Sequence, residues 1–299
     1  MEPTVDVERG AWLRARAGAW ATVGGVAGTG FEAYARILHP VQAWRTDPTI
    51  TDEWGSPLIV EDTRWGWAEV ARRNARTMHP LVQWFSLTDR EERREWPDGW
   101  AVGQAEEGRL PAELLAALTG PLVRNTRTPE LLTAAFWIGW GELHGGAQMS
   151  LVLMAEGGDP EAVARERARV EAELREERRR AIAPAVREVI DRGPFFDWPG
   201  REMLLCSTSL GELADPTWPA HAGVAGLTPQ LLWPADRRWV VASEIDWDST
   251  IVAGSRALID EVLADEAFES YEVDEASDLT WDGDTINPRP PGRRDSESG

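Results

Sequence analysis

The apolar positions of this chain alternate between short extended runs and short amphipathic stretches. Residues 8 to 19 predict a brief helix, followed by the glycine-rich loop Val23–Gly30. The aromatic and branched run from Phe31 to Leu38 predicts a strand that His39-Pro40 ends. After a polar, proline-containing stretch, Asp62 or Thr63 is a candidate cap for a helix on which Ala68, Ala71, Ala75 and Met78 recur at helical spacing, with Arg72, Arg73 and Arg76 facing outward. Leu110-Pro111-Ala112-Glu113 announces another helix, striped by Leu114, Leu115, Leu118 and Leu122. Ala134 to Trp140 is apolar on both faces, as in a central strand covered on both sides.

From Asp159 to Arg192 the pattern changes to nine acids and nine arginines with few large apolar residues. Asp159-Pro160 supplies a cap and a first-turn proline, and Glu161/Arg165, Glu171/Arg175 and Glu176/Arg180 are i,i+4 pairs in the favourable order, each contributing about 0.2–0.5 kcal/mol. Pro184 is expected to kink or restart this helix and Gly193-Pro194 to end it. Strands follow at Glu202–Cys206, Trp239–Trp247 and near Phe268–Val273, with a helix from about Ser255 to Ala264 and a looping, proline-rich stretch before Trp239. The expected class is α+β: a single mixed-sheet, α/β-type body over residues 1–287, a charged helical insertion at 145–193, and a disordered tail at 288–299. A ten-residue echo between 35–44 and 75–84 shares five identities and goes no further, too short for a repeat array.

Composition narrows the function classes. The chain has 299 residues, 42% of them hydrophobic and 27% charged, which places it among folding, globular sequences. All 31 basic residues are arginine, a bias that reads as a GC-rich genome and lowers the weight of any single arginine as a selected anion fork. The net charge of −20 opposes contact with nucleic acid or anionic membrane. Fourteen acids against one arginine lie between Val241 and Asn287, making the C-terminal region an acidic pole. The acidic N-terminus lacks a secretory pattern, no run is long enough to span a bilayer, and the single Cys206 excludes an internal disulfide, so a cytoplasmic setting is expected.

Candidate chemistry is sparse. Gly28-Thr29-Gly30-Phe31-Glu32-Ala33 has the spacing of a dinucleotide fingerprint, but a short extended run follows it where that motif needs a helix. Without lysine there is no phosphate-binding P-loop, and no cofactor is expected. His39, His79, His144 and His221 are dispersed, and Cys206, at a strand end, reads as buried and inert; His144 in a flexible loop is a possible base. The best candidate site is Glu244-Ile245-Asp246-Trp247-Asp248, which as a strand would put three carboxylates on one face. A hard cation, arginines or water would relieve their repulsion, and a solvated acidic edge is the favoured reading. Asp282 and Asp284 are possible further ligands. Trp96-Pro97-Asp98-Gly99-Trp100 and Trp233-Pro234-Ala235-Asp236 are turn-like settings where exposed aromatic and acidic groups could bind together, so Trp233 and Asp236 join the candidates.

Gly30–Pro40, Leu232–Arg237, Ala242–Asp246 and Asp284–Pro288 resemble segments of an uncharacterised family of actinobacterial proteins, across most of the chain except its charged segment. The resemblance implies one module in a bacterial cytoplasm and carries over no catalytic or binding residue. The leading functional expectation is a non-enzymatic binding or regulatory module whose acidic C-terminal face meets a basic protein partner or a cation. A carboxylate- or metal-dependent hydrolase or transferase using Glu244, Asp246 and Asp248 is one alternative, and an immunity-type inhibitor that mimics nucleic acid is the other.

Overall fold

A computed structural model describes residues 1–89, 91–144 and 182–287, and positions 165, 169, 170, 173, 176, 179 and 180 between them. It has the α+β class expected. Its centre is an antiparallel sheet in the order β1 (Glu2–Thr4), β9 (Arg201–Thr208), β7 (Leu132–Trp137), β10 (Leu231–Pro234), β11 (Val240–Ala242), β12 (Ser249–Gly254), β2 (Ala33–Leu38) and β13 (Ser270–Val273), with β8 (Phe196–Trp198) paired to β9. A smaller sheet runs β4 (Pro57–Trp65), β3 (Val41–Thr51), β6 (Trp100–Val102), β5 (Arg94–Glu95). The mixed sheet expected from sequence is not what forms: every described strand pair is antiparallel. The links between β8 and β9, β10 and β11, and β11 and β12 are too short for the crossover that parallel strands require.

Period-two alternation sorts the large sheet into two covered faces. Ala134, Phe136, Leu204, Cys206, Leu232, Val241 and Val252 point one way, onto Leu115, Leu118 and Leu122 of the helix Ala112–Arg124 and onto the helices Pro184–Arg192 and Arg256–Ala264. Ala135, Leu205, Leu231, Trp233, Ile251 and Tyr34 point the other way, under Leu13, Val23 and Val26 of the N-terminal segment. Near-continuous apolar strands such as 132–137 therefore follow from burial on both sides. Pro121 lies inside its helix, which continues to Arg124, so Gly120-Pro121 does not break it. Pro184 starts a new helix, one of the two outcomes expected of it.

Three expectations fail for identifiable reasons. The helix expected from residue 8 to 19 stops at Arg14: Val7–Gly10 is a 3-10 turn, Ala11–Arg14 a single helical turn, and the N–H groups of Arg16 and Ala17 then bond three residues back, to Leu13 and Arg14, so residues 15–19 leave the helix. The polar stretch after His39-Pro40 is the long hairpin β3–β4, so Asp62 and Thr63 lie in a strand and cap nothing; the helix is Trp67–Arg73. Its exposed N–H groups are capped from far away, with the Glu269 carboxylate accepting from Trp67 N at 2.5 Å and Ala68 N at 2.8 Å. Trp96 and Trp100 are half-buried against Trp65, with the Arg73 guanidinium 4.6 Å from the Trp65 ring centroid and 5.2 Å from that of Trp96.

In the charged segment the described positions are helical, and Arg169–Glu173 and Glu176–Arg180 form i,i+4 pairs at 2.7 and 3.9 Å. Asp159-Pro160, the pairs Glu161/Arg165 and Glu171/Arg175, and the tail from Pro288 lie outside the described residues. Among the described residues no helix is long and apolar enough to cross a membrane.

Phe136 is fully buried at the centre of the first face. Phe136→Ala is expected to destabilise the protein by about 3–5 kcal/mol, read as a lower denaturant midpoint at unchanged slope.

Candidate functional site

The end of β2 and the loop joining β11 to β12 meet around a buried arginine. Arg36 is 1% exposed, on the face of β2 that otherwise carries Tyr34. Its Nε donates to Ser249 Oγ at 2.9 Å and its Nη1 to the carbonyls of Val82 and Pro80 at 2.8 and 3.1 Å. Nη2 lies 3.6 Å from Asp248 Oδ1, and the Trp67 ring centroid is 5.8 Å away. Burial pulls the Arg36 guanidinium below its usual range, while Asp248 and Asp284 oppose that shift. Burial also pushes the Asp248 carboxyl up, with Arg36 pulling it back.

The strand expected over Trp239–Trp247 is not continuous. Val240–Ala242 is β11, Glu244 to Asp248 is a turn, and β12 starts at Ser249. The three carboxylates therefore share no strand face. Glu244 and Asp246 instead clamp one guanidinium, Arg201, at 3.0 and 2.6 Å, and Asp246 N donates to Glu244 Oε2 at 2.7 Å. Burial pushes the Glu244 carboxyl up, and Arg201 offsets part of that rise. Asp248 turns inward to Arg36. Arginine thus relieves part of the repulsion among these carboxylates.

The loop is seated on a second segment that sequence reasoning missed. Gly108 has φ +70°, and a Cβ there would lie 2.7 Å from Ile245 Cα, so the backbone approach needs glycine. Gly108 N donates to the Trp247 carbonyl at 2.8 Å, and its own carbonyl accepts from Gln230 Nε2 at 2.9 Å. This brings Glu107 beside the loop. Burial first, then Asp248, Asp246 and Glu244, push its carboxyl up. Among the described residues no arginine pairs with Glu107, and the side chain of Asp246 remains 62% exposed. Trp20, 80% exposed, stands with its ring centroid 6.4 Å from that of Trp247 in the loop.

Beneath the loop, His39 is fully buried in a hydrogen-bond chain whose direction chemistry determines. Its Nδ1 lies 2.6 Å from the Glu106 carbonyl, which can only accept, so Nδ1 carries the proton. In the neutral ring Nε2 then accepts from Thr250 Oγ1 at 2.8 Å, and Ser243 Oγ donates to Thr250 Oγ1 at 2.6 Å. Burial, helped by Arg36 and resisted by the Glu106 carbonyl, holds His39 down at about 4.

The other sequence candidates lie elsewhere and act as fasteners. Asp284 is buried, accepting from His79 Nε2 at 2.8 Å and from the Asn287 backbone at 2.9 Å. Burial pushes its carboxyl up, but hydrogen bonds from Asn287, His79 and Gln83 outweigh this and leave it below the usual range. Asp282 is exposed on the neighbouring 3-10 turn. Trp233, expected at an exposed turn, is 2% exposed in β10, buried in the core of the second sheet face with its ring centroid 6.0 Å from that of Phe196. Asp236 accepts from Thr126 Oγ1 at 2.9 Å and Arg127 N at 2.7 Å, tying down a loop. Cys206 is buried in β9, and burial pushes its thiol up to about 12. His144 is exposed, its Nε2 2.6 Å from the Ile138 carbonyl. Among the described residues no three His, Cys, Asp or Glu side chains converge as a metal-binding set.

Arg36→Met would leave Asp248 buried without its cation and two carbonyls without a donor, so a loss of about 3–5 kcal/mol in denaturant unfolding is expected. His39 sets a separate pH dependence. Unfolded, it protonates near 6.5; folded, only near 4. In that window the unfolded chain binds more protons, so stability falls as pH drops from about 6.5 towards 4, by roughly 3 kcal/mol in all. His39→Gln should flatten that part of a stability-against-pH curve.

No protein-family model matches this chain, and no curated protein or solved structure matches it either.

Proposed function

We propose that this chain is a non-enzymatic binding module whose acidic loop, with Glu107 and the Trp20 ring, takes an arginine- or lysine-rich segment of a protein partner. The observation that carries this reading is an 80%-exposed tryptophan set against Trp247 of the acidic loop, beside Glu107, which no described arginine pairs, and Asp246, which stays 62% exposed. Arg201 neutralises part of the loop, but Glu107 and the outward side of Asp246 remain available. A cation arriving there gains two carboxylates and a ring face at once. The charge of −20 favours encounter with such a partner and repels nucleic acid. On this reading the chain acts as one cytoplasmic body, and the charged segment at 145–193 is an insertion outside the binding face.

Hexa-arginine is the probe. Its affinity, followed by fluorescence anisotropy of a labelled peptide, should fall as salt rises and drop about tenfold in Glu107→Gln/Asp246→Asn. Trp20→Ala should weaken it two- to fivefold. Glu92→Gln/Glu266→Gln removes the same charge from exposed positions away from the loop and should leave affinity nearly unchanged. If both double variants bind the peptide alike, net charge and not this loop is responsible, and the reading falls.

A further inference from the structure

One end of the second sheet face is polar. Thr133 of β7 and Ser207 of β9 are paired in register, and Trp233 of β10 is Thr133's partner on the other side, so these side chains form a row across three strands. The N-terminal segment carrying Arg9 and Trp12 borders that row, and the β10–β11 turn supplies Arg237. A cleft of about 360 Å³ remains between them, within the size range of small-molecule sites.

The cleft's donors outnumber its acceptors. Of its charged lining residues two are cations, Arg9 and Arg237, and one is an acid, Glu130. Arg9 donates from Nη1 to Ser207 Oγ at 2.7 Å and lies 3.4 Å from Asp6 through Nε. Among the described residues no carboxylate pairs with Arg237. Its backbone has φ 59°, a left-handed conformation that costs free energy in a residue other than glycine. That conformation projects a guanidinium 5.6 Å from the Trp12 ring centroid. Leu131, 62% exposed, forms an apolar lip. A chain of net charge −20 thus gathers two guanidinium groups and two hydroxyls around one small space.

We propose that this cleft binds a small organic anion, a carboxylate on a planar apolar body. The guanidinium groups of Arg237 and Arg9 hold the carboxylate, as planar forks do. The body lies against Trp12 and Leu131, and the hydroxyls of Thr133 and Ser207 orient it. The site shares no residue with the acidic loop, so either proposal can fail without the other.

The probes are benzoate and 1-naphthoate, with benzamide as the neutral match for benzoate, titrated into the full chain by calorimetry or ligand-observed NMR. Benzoate is expected to bind at least tenfold more tightly than benzamide, and 1-naphthoate more tightly than benzoate. Arg237→Asn accepts the left-handed backbone and removes the fork, and it should weaken benzoate about tenfold or more. Arg237→Lys should recover part of that loss. Thr133→Val keeps the shape and should weaken it a few-fold. The proposal is overturned if neither carboxylate binds, if benzamide binds as well as benzoate, or if a folded Arg237→Asn protein retains wild-type affinity.

Discussion

A single buried cation organises the polar interior of this protein. Arg36 stands on a strand whose other residues are buried too, so its guanidinium is compelled to find every partner inside the fold. It does so by drawing in two separate stretches of chain: residues 80–82 through the Pro80 and Val82 carbonyls, and residues 248–249 through the charge of Asp248 and the hydroxyl of Ser249. An arginine in apolar surroundings is costly unless it is fully engaged. That requirement keeps the smaller sheet's flank, the β11–β12 loop and the end of β2 in one arrangement.

The polar chain beneath the loop follows from the same constraint. With Asp248 turned inward, Ser249 and Thr250 run alongside Leu38 and Ile37 of β2, and His39 comes within reach of Thr250. The histidine is neutral because its burial and the adjacent arginine both disfavour its cation. Glu244 and Asp246 are left facing outward, where Arg201 meets them. Much of the acid in the C-terminal third is thus internal fastening: Glu269 caps a distant helix, Asp284 pins residues 77–83, and Asp236 holds 126–127. In the binding reading proposed above, the partner face is the smaller set around Glu107, Asp246 and Trp20. The cleft at the opposite end of the sheet is lined by Arg9 and Arg237 instead, so the two proposed sites would take ligands of opposite sign.

Several elements were legible from residue order because local patterning and burial agree in them. The strand at 33–38, the leucine-striped helix from 112 and the helix after Ser255 fall where the periodicity puts them, and the doubly covered strand expected over 134–140 forms a little earlier, at 132–137. The hairpin β3–β4 was missed because most of β4 is exposed on both faces, so it shows no apolar alternation even though Leu58, Ile59 and Val60 are branched. The acid-rich pentapeptide 244–248 was misread for the opposite reason: its alternation is perfect, yet it is a turn. The unrecognised signal was Gly108, whose positive φ and close approach to Ile245 seat that turn. The polar end of the second sheet face gave no local signal, since Arg9, Thr133, Ser207 and Arg237 are spread over more than 200 positions.

By itself the sequence determined the α+β class, the acidic balance, the burial of the cysteine and the position of several elements, because these depend on composition and on nearest-neighbour periodicity. Only the tertiary structure decided which charges are spent inside the fold and which remain to meet a ligand. Pairing of Arg36 with Asp248, Arg201 with Glu244 and Asp246, and His79 with Asp284 joins residues 43 to 212 positions apart. A charge's availability is a property of its surroundings in space, and no local pattern along the chain records them.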